Sequence, residues 1–255
     1  MDIPYQNMEI EQIYTQLLSN PQTAIAICAA EEREGVTSLA FALAQRNLLA
    51  GHSTLLVDLN LYHPSIKSLL DIPETIDHDF DSPIDMDNTN TSITVSTTTI
   101  LTAPQLVCSS DSSTVLNGVV APIKRENIMK LRQPGTLEQC IEEWLAEYDT
   151  VIIDTSPINR VNSHNIPPER VAAACHGAIL MVMAGQTTEA SLNSALDKLN
   201  NANARLLGSV FNDRDNPRLK DELLREASRM DPLLSWLSRP IKKVIHKSRL
   251  LTLEV

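Results

Sequence analysis

The segment Cys28–Ser38, CAAEEREGVTS, has the residue types and spacing of a degenerate phosphate-binding loop. It lies between an apolar run, TAIAI, and an alanine- and leucine-rich run that ends at Gly51. A phosphate-binding loop joins a strand to a helix and closes on Gly-Lys-Ser or Gly-Lys-Thr, with the lysine contacting the phosphates. Here a valine takes the place of that lysine. The positions predicted to form the site are Gly35, Val36, Thr37 and Ser38.

The missing lysine and the acidic composition weaken this predicted anion site. Removing a unit charge about 4 Å from a phosphate forfeits on the order of a few kcal/mol at an effective dielectric of roughly 20. Glu31, Glu32 and Arg33 also replace the small residues that let backbone N–H groups approach a phosphate. Arg33 could substitute for the lysine in part, but it is predicted to lie on the exposed arm of the loop. We therefore expect a nucleotide to bind here weakly, as a ligand rather than a substrate.

Two aspartates at the ends of apolar runs are further candidates for chemistry. Asp58 ends the run TLLVD, and Asp154 ends the run TVIID. From the residues alone, each aspartate is explained by capping of the turn that follows its strand. The alternative, a retained metal or nucleotide site, depends on the family resemblance described below.

The elements that position these residues alternate between strands and helices. Six short apolar runs predict strands, and most are continuous, as in a parallel sheet covered on both faces. They begin at Thr23 (TAIAIC), Thr54 (TLLVD), Ile93 (ITVSTTTIL), Thr150 (TVIID), Gly177 (GAILMVM) and Leu206 (LLGSVFN). Because helical segments separate most of them, the sequence predicts a single α/β domain with a doubly wound, mostly parallel sheet flanked by helices.

Helical periodicity predicts the segments between these strands. The first helix is expected over Thr37–Ala50, where Gly51 ends it. Another follows Gly135, with Thr136 and Gln139 in a capping-box pattern. Two more are predicted, from Glu189 to Asn200 and from Leu219 to Ser228.

Three segments interrupt or extend the predicted domain, which spans residues 1–230. A polar insertion rich in Asp, Pro, Ser and Thr covers about 71–92, and CSSDSST from Cys108 is predicted to be a second loop. Residues 231–255 form a basic amphipathic tail. This tail either lies on an anionic membrane or a partner, each cation adding about 1 kcal/mol, or packs on the domain with its basic face in solvent. Its candidate contact residues are Lys242, Lys243, Lys247 and Arg249.

Composition excludes several classes of protein. The net charge of −11 argues against nucleic acid as a partner, because phosphate backbones would be repelled. No apolar run reaches the roughly 18 residues of a spanning helix, and the N-terminus lacks the basic start and apolar core of a secretory signal. The protein is therefore predicted to be cytoplasmic. Buried thiols are predicted at Cys28, Cys140 and Cys175, which lie in apolar segments.

The degenerate loop, the two aspartate segments and LLGSVFND near the end together resemble the bacterial tyrosine kinases of capsule and exopolysaccharide synthesis. Those kinases belong to the wider ParA/MinD-like class of P-loop ATPases, and the resemblance covers roughly Glu9 to Arg225. It implies a P-loop NTPase fold, ATP or ADP with Mg²⁺ as the cofactor, and a membrane-bound polysaccharide co-polymerase or export protein as the partner. Because the loop is degenerate, no cofactor is firmly predicted.

Four residues match positions with a role in the resembled family. Thr37 is similar to the residue that coordinates Mg²⁺ through its hydroxyl, and Asp58 to the first aspartate of the second nucleotide motif. Asp154 is similar to the aspartate that holds Mg²⁺ through water. Asn212 is similar to the asparagine that lies against the adenine, although Asn212 and Asp213 also suit a turn. The resemblance thus implies a vestigial metal site at Thr37, Asp58 and Asp154.

The sequence departs from the kinases at three further places. Asn60 replaces the second aspartate of the second motif, and Tyr62 replaces the arginine that follows it. The tyrosines, at positions 5, 14, 62 and 148, are far from the C-terminal cluster that the kinases phosphorylate. The Glu-x-x-Arg-x-x-Arg helix of ring assembly corresponds to Glu11, Tyr14 and Leu17, with both arginines absent.

These observations leave three functional hypotheses open. The leading one is a catalytically weakened, pseudokinase-like protein that regulates or scaffolds exopolysaccharide synthesis and export. It would act at the inner face of the cytoplasmic membrane, and it could form homo-oligomers. The second is an active ATPase or tyrosine autokinase with an unusual loop. The third is a MinD-like positioning protein that binds membrane through its tail.

Overall fold

Seven strands form one sheet in the part of the chain that the structure describes. The structure is a computed structural model that describes residues 7–18, 23–64, 105–108, 115–160, 162 and 164–214. Contacts divide the chain into two compact units, Met1–Asn212 and Asp213–Val255, and all the helices and strands reported below belong to the first. The predicted insertion at 71–92, the strand from Ile93, the helix from Leu219 and the basic tail lie outside the described residues.

The elements are numbered in chain order. The strands are β1 (Thr23–Ala29), β2 (Thr54–Leu59), β3 (Gln105–Cys108), β4 (Val115–Val119), β5 (Thr150–Thr155), β6 (Gly177–Met183) and β7 (Leu206–Asn212). The helices are α1 (Met8–Leu17), α2 (Val36–Leu49), α3 (Arg125–Leu131), α4 (Thr136–Glu147), α5 (Pro168–Ala174) and α6 (Glu189–Asn201). A short 3₁₀ turn, Ile158–Arg160, follows β5.

The loop after β1 lies where the strand order reverses, so that strands are added to the sheet first on one side of β1 and then on the other. The order is β3-β4-β2-β5-β1-β6-β7, and every pair is parallel except β3 with β4. The chain runs from β1 to β2 on one side and reaches β6 on the other. In doubly wound folds a ligand crevice opens outside the carboxyl ends of the strands at such a switch point. The predicted doubly wound, mostly parallel sheet is confirmed.

Both faces of the sheet are covered, which explains the continuous apolar runs. Successive side chains of a strand point to opposite faces. In β1, Ala24 and Ala26 pack in one core cluster with α4, α5 and α6, while Ile25 and Ile27 pack in the other with α1 and α2. The strands β2, β5 and β6 divide their side chains in the same way. No helix among the described residues is long and apolar enough to cross a bilayer.

Most of the predicted strands are present, and two others were missed. The strands predicted from Thr23, Thr54, Thr150, Gly177 and Leu206 are confirmed. The strand β4 was missed because Asn117 and Gly118 interrupt its apolar run. Cys108 was predicted to begin a loop, but it ends β3, a four-residue strand too short to show a period.

The predicted helix boundaries are close, but one predicted cap is wrong. The helix α2 begins at Val36, one residue early, and α6 ends one residue late. Thr136 was predicted to cap α4, yet Gly135 holds the N-cap position and no side chain caps the helix. Thr136 is already inside the first turn, where its hydroxyl cannot take the capping role, and Gln139 instead donates to Glu143 at 3.2 Å.

The predicted buried thiols are confirmed. Cys28, Cys140 and Cys175 are buried and free of disulfides. Burial raises the pKa of Cys28 and of Cys140 to about 12 and also raises that of Cys175. Since the thiolate is the reactive form, these cysteines are packing residues rather than nucleophiles.

Candidate functional site

The loop between β1 and α2 has a tightly determined backbone. Arg33 and Gly35 both adopt left-handed conformations, with φ of 63° and 101°. A Cβ atom on Gly35 would lie 2.6 Å from Nδ2 of Asn212, at the end of β7. That amide donates to the carbonyl of Glu34 at 3.0 Å. Asn212 therefore holds the loop itself, a contact that its predicted role beside an adenine did not anticipate.

The three residues predicted to hold a metal lie at adjoining positions of the fold. Thr37, in the first turn of α2, donates its hydroxyl to Oδ2 of Asp154 at 2.5 Å. Asp58 lies opposite Asp154 in the register of β2 with β5, and both aspartates are buried. Alternation along these strands points both side chains toward the face that α2 covers, since Leu56 and Ile152, two residues earlier, pack there. The structure thus brings the hydroxyl and both carboxylates to the face of the sheet beneath the loop.

This donor set fits magnesium only in part. Hydroxyl and carboxylate oxygens are ligands that Mg²⁺ accepts, and Mg²⁺ commonly combines one or two carboxylates with water and substrate phosphates. Among the described residues, no group of three or more His, Cys, Asp or Glu is placed to hold a metal ion. A magnesium ion at Thr37, Asp58 and Asp154 would therefore share its coordination with water and with a bound phosphate.

Asn60, at the position of the missing second aspartate, builds the turn after β2. Its backbone N–H donates to Oδ1 of Asp58 at 2.9 Å, and its own side-chain oxygen accepts from the N–H of His63 at 3.1 Å. Asp58 therefore caps this turn, as the residues alone predicted, and does so from its place beside Asp154.

Position 36 offers no cation and little access. Val36 is 9% exposed and packs in the apolar cluster between α2 and the sheet. Ser38, which follows Thr37 in the first turn of α2, is half-buried. What remains for a phosphate at these positions is the backbone N–H groups at the N-terminus of α2 and the positive end of its dipole.

The first acidic side chain of the loop, Glu31, is bound within the chain. Arg160, in the turn after β5, donates Nε to one carboxylate oxygen of Glu31 at 3.0 Å. Ser191 of α6 donates its hydroxyl to the other oxygen at 2.7 Å. Partial burial opposes ionisation, but these hydrogen bonds and the guanidinium charge outweigh it and hold the pKa of Glu31 below its ordinary value. Neither Arg160 nor Ser191 was predicted as a site residue; the only signal in the sequence is that Arg160 closely follows Asp154.

Glu32 is engaged by residues of the turn after β2. Nε2 of His63 lies 3.2 Å from one of its carboxylate oxygens, and the hydroxyl of Tyr62 donates to the other at 3.4 Å. The Nε of Arg160 lies 3.9 Å from Oε1 of Glu32. Both carboxylates that replace small residues of the loop therefore have partners within the chain.

Glu34 fastens the loop to the connection between β6 and α6. Its side chain is 3% exposed, and one carboxylate oxygen accepts from the backbone N–H of Ala30 at 3.0 Å. The other oxygen accepts from the hydroxyl of Thr187, which also accepts from the N–H of Met183. Burial raises the pKa of Glu34, although the hydrogen bonds from Thr187 and Ala30 oppose it.

The substitution Glu34→Gln is expected to change how stability depends on pH. Because the pKa of Glu34 is raised above its ordinary value of 4.5, the folded protein keeps this proton to a higher pH than the unfolded chain. The stability linked to it is present below 4.5 and is lost as the pH rises through the folded-state pKa. In urea denaturation, the unfolding free energy of the wild type should therefore rise relative to that of Glu34→Gln as the pH falls from neutrality. Parallel pH profiles for the two proteins would contradict this assignment.

A cavity of about 570 Å³ opens beside the loop. Glu31, Glu32, Arg33 and Arg160 contribute its charged lining, and the remainder comes from polar residues of the β6–α6 connection and α6. Arg33 is exposed, as predicted. The lining includes none of the predicted phosphate positions, Gly35–Ser38.

The residues matching the ring-assembly helix make contacts within the chain. Glu11 of α1 accepts from Nη2 of Arg46 on α2 at 2.5 Å. The same guanidinium lies 4.2 Å from the centre of the Tyr14 ring. Arg46 thus joins α1 to α2 and holds the pKa of the Glu11 carboxylate below its ordinary value through a hydrogen bond.

The fold is similar to that of two kinase domains and a synthase of known structure. The kinase domain of the Escherichia coli tyrosine kinase ETK aligns over 80% of this chain and 72% of its own, with 14% identity and a TM-score of 0.55. The VpsO kinase domain aligns over 80% of this chain and 91% of its own, with 17% identity and a TM-score of 0.53. Cobyrinic acid a,c-diamide synthase from Mycobacterium smegmatis, solved with bound ADP and magnesium, aligns over 81% of both chains, with 17% identity and a TM-score of 0.53.

At the level of sequence, no protein-family model and no curated protein matches the chain. With identities this low, the structural similarity establishes a shared fold and nothing finer. The chain therefore shares the fold of these kinase domains and of this synthase, which confirms the resemblance to tyrosine kinases predicted from its sequence.

Proposed function

We propose that this protein is a catalytically weakened relative of the bacterial tyrosine kinases that regulates or scaffolds the synthesis and export of an exopolysaccharide. It acts in the cytoplasm, at the inner face of the membrane, and its partner is a membrane-bound co-polymerase or export protein. ATP or ADP with Mg²⁺ is a weak ligand in this proposal, not an efficiently used substrate.

One contrast within the site carries the proposal. The side that would hold a metal is kept, since Thr37 donates to Asp154 and Asp58 lies alongside. The side that would hold the phosphates has lost its cation, because the residue at position 36 is a buried valine. In phosphoryl transfer the lysine contacts the β- and γ-phosphates and stabilises charge in the transferring group. A site with the metal ligands but without this cation supports weak binding without efficient turnover.

An active ATPase or tyrosine autokinase is the second candidate. The observation that favours it is the same contact between Thr37 and Asp154, which places the hydroxyl and carboxylate of a magnesium site together. In this case a cation outside the loop would have to supply the charge that position 36 lacks.

Calorimetric titration of the full chain with Mg·ATP and Mg·ADP, followed by a phosphate-release assay, separates the two candidates. The proposed function predicts weak or undetectable heats and no phosphate release above the buffer rate. Asp154→Asn serves as the matched control, because it removes a predicted metal ligand while keeping the size of the side chain. Micromolar binding together with turnover that Asp154→Asn abolishes would reject the weakened enzyme and establish the active one.

A further inference from the structure

The cavity beside the loop contains a donor set suited to an oxyanion. Arg160 presents a guanidinium, Ser191 presents a hydroxyl, and both donate to the carboxylate of Glu31, at 3.0 and 2.7 Å. Charge-assisted bonds from guanidinium and hydroxyl groups are those that recognise phosphates and carboxylates. The oxyanion bound between these two donors is therefore a side chain of the loop itself.

The remaining charges of the cavity reinforce this arrangement. Arg33 lines the same cavity, and Arg160 also lies 3.9 Å from Glu32, so the lining carries two guanidiniums and two carboxylates whose formal charges cancel. The side chain of Arg160 is 54% exposed, whereas those of Glu31 and Glu32 are 33% and 28% exposed. An incoming anion can therefore reach the guanidinium from solvent, but it must compete with carboxylates that the loop already holds in place.

The loop is held in this position from other elements. Glu34 is fastened to Thr187, Asn212 donates to the Glu34 carbonyl, and the N–H of Asn159 donates to the carbonyl of Ala30 at 3.1 Å. These bonds fix the backbone on both sides of Glu31. Its carboxylate is thus presented to Arg160 at little further cost in conformational entropy.

We propose that Arg160, Ser191 and Arg33 form an oxyanion site that the chain's own Glu31, assisted by Glu32, occupies in place of a phosphate ligand. The contact is autoinhibitory: it pairs Arg160, a cation beside the loop that could replace the missing lysine, with a carboxylate of the loop itself. The inference rests on the proposed function in taking the loop as a weakened phosphate site.

Inorganic pyrophosphate is the probe that tests this site, in calorimetric titrations of the full chain at fixed low ionic strength. Glu31→Gln/Glu32→Gln removes two charges beside the guanidiniums and keeps side chains of the same length. Neutralising them is expected to tighten pyrophosphate binding by about tenfold or more. Adding Arg160→Gln to this double variant should abolish the gain, and adding Ser191→Ala instead should reduce it.

The matched control is Glu142→Gln/Glu147→Gln, which removes the same charge from exposed positions of α4. The proposal is overturned if this control binds pyrophosphate as tightly as the Glu31 and Glu32 double variant, if that double variant shows no gain, or if the gain survives Arg160→Gln. Circular dichroism confirms that each variant folds, and Glu31→Gln alone tests the same point if the double variant does not. Because pyrophosphate has no base and is titrated without magnesium, the result is independent of whether the wild type binds or hydrolyses Mg·ATP.

Discussion

Val36→Lys is expected to raise the affinity of the protein for Mg·ADP by about 10- to 100-fold, the gain expected from a unit charge near a phosphate at intermediate dielectric. The residue begins α2 directly after the loop, so an ammonium there can extend along the loop while its aliphatic stem keeps part of the packing of the valine. The carboxylates of Glu31 and Glu32, already paired with Arg160 and His63, would reduce this gain less than bare charges would.

The measurement is calorimetric titration of Mg·ADP into wild type, Val36→Lys and Val36→Met. Methionine has a similar length without the charge, so it controls for disturbance of the apolar cluster around position 36. If lysine and methionine gave the same affinity, the loss of the cation would not be what limits binding. The geometry of the loop around Glu31–Gly35 would then be responsible.

Gly35→Ala is expected to destabilise the fold by about 2–4 kcal/mol, combining backbone strain at a left-handed φ with a lost hydrogen bond. Gly35 has a φ of 101°, and an added Cβ would lie 2.6 Å from Nδ2 of Asn212. The amide of Asn212 would have to move and would give up its bond to the carbonyl of Glu34. Urea denaturation measures the loss in unfolding free energy.

Gly51→Ala provides the matched control for this prediction. Its φ of 90° imposes similar strain, but a Cβ there would meet no atom within 4 Å. Gly35→Ala should therefore cost more than Gly51→Ala, and Asn212→Ala should reduce the difference by removing the clashing amide. Equal losses at positions 35 and 51 would show that the contact with Asn212 contributes nothing to stability.

The fold was largely predictable because its strands are buried on both faces. In β1 and β6 every position from the second residue on is buried, so each appears in the sequence as a long unbroken apolar run. The strand β5 is also buried throughout, and its shorter apolar run, Val151–Ile153, ends at Asp154. The strands β3 and β4 lie at one edge of the sheet, where shorter pairing and residues such as Asn117 leave no such run. Local periodicity also cannot decide which of two adjacent residues is the N-cap of a helix. For this reason the sequence pattern favoured Thr136, whereas Gly135 holds the N-cap position of α4.

The sequence by itself determined what position 36 lacks, since no folding can give valine a charge or a donor. Its resemblance to the kinases also implied that Asp58 and Asp154 belong to one vestigial metal site. Only the tertiary structure decided which partners the carboxylates of the loop have. Glu31 meets Arg160 across 129 residues of chain, and Glu32 meets His63 across 31. Charge pairing depends on separations in space of a few ångströms, and side chains so distant in sequence acquire those separations only when the sheet brings the ends of β1, β2 and β5 to one edge.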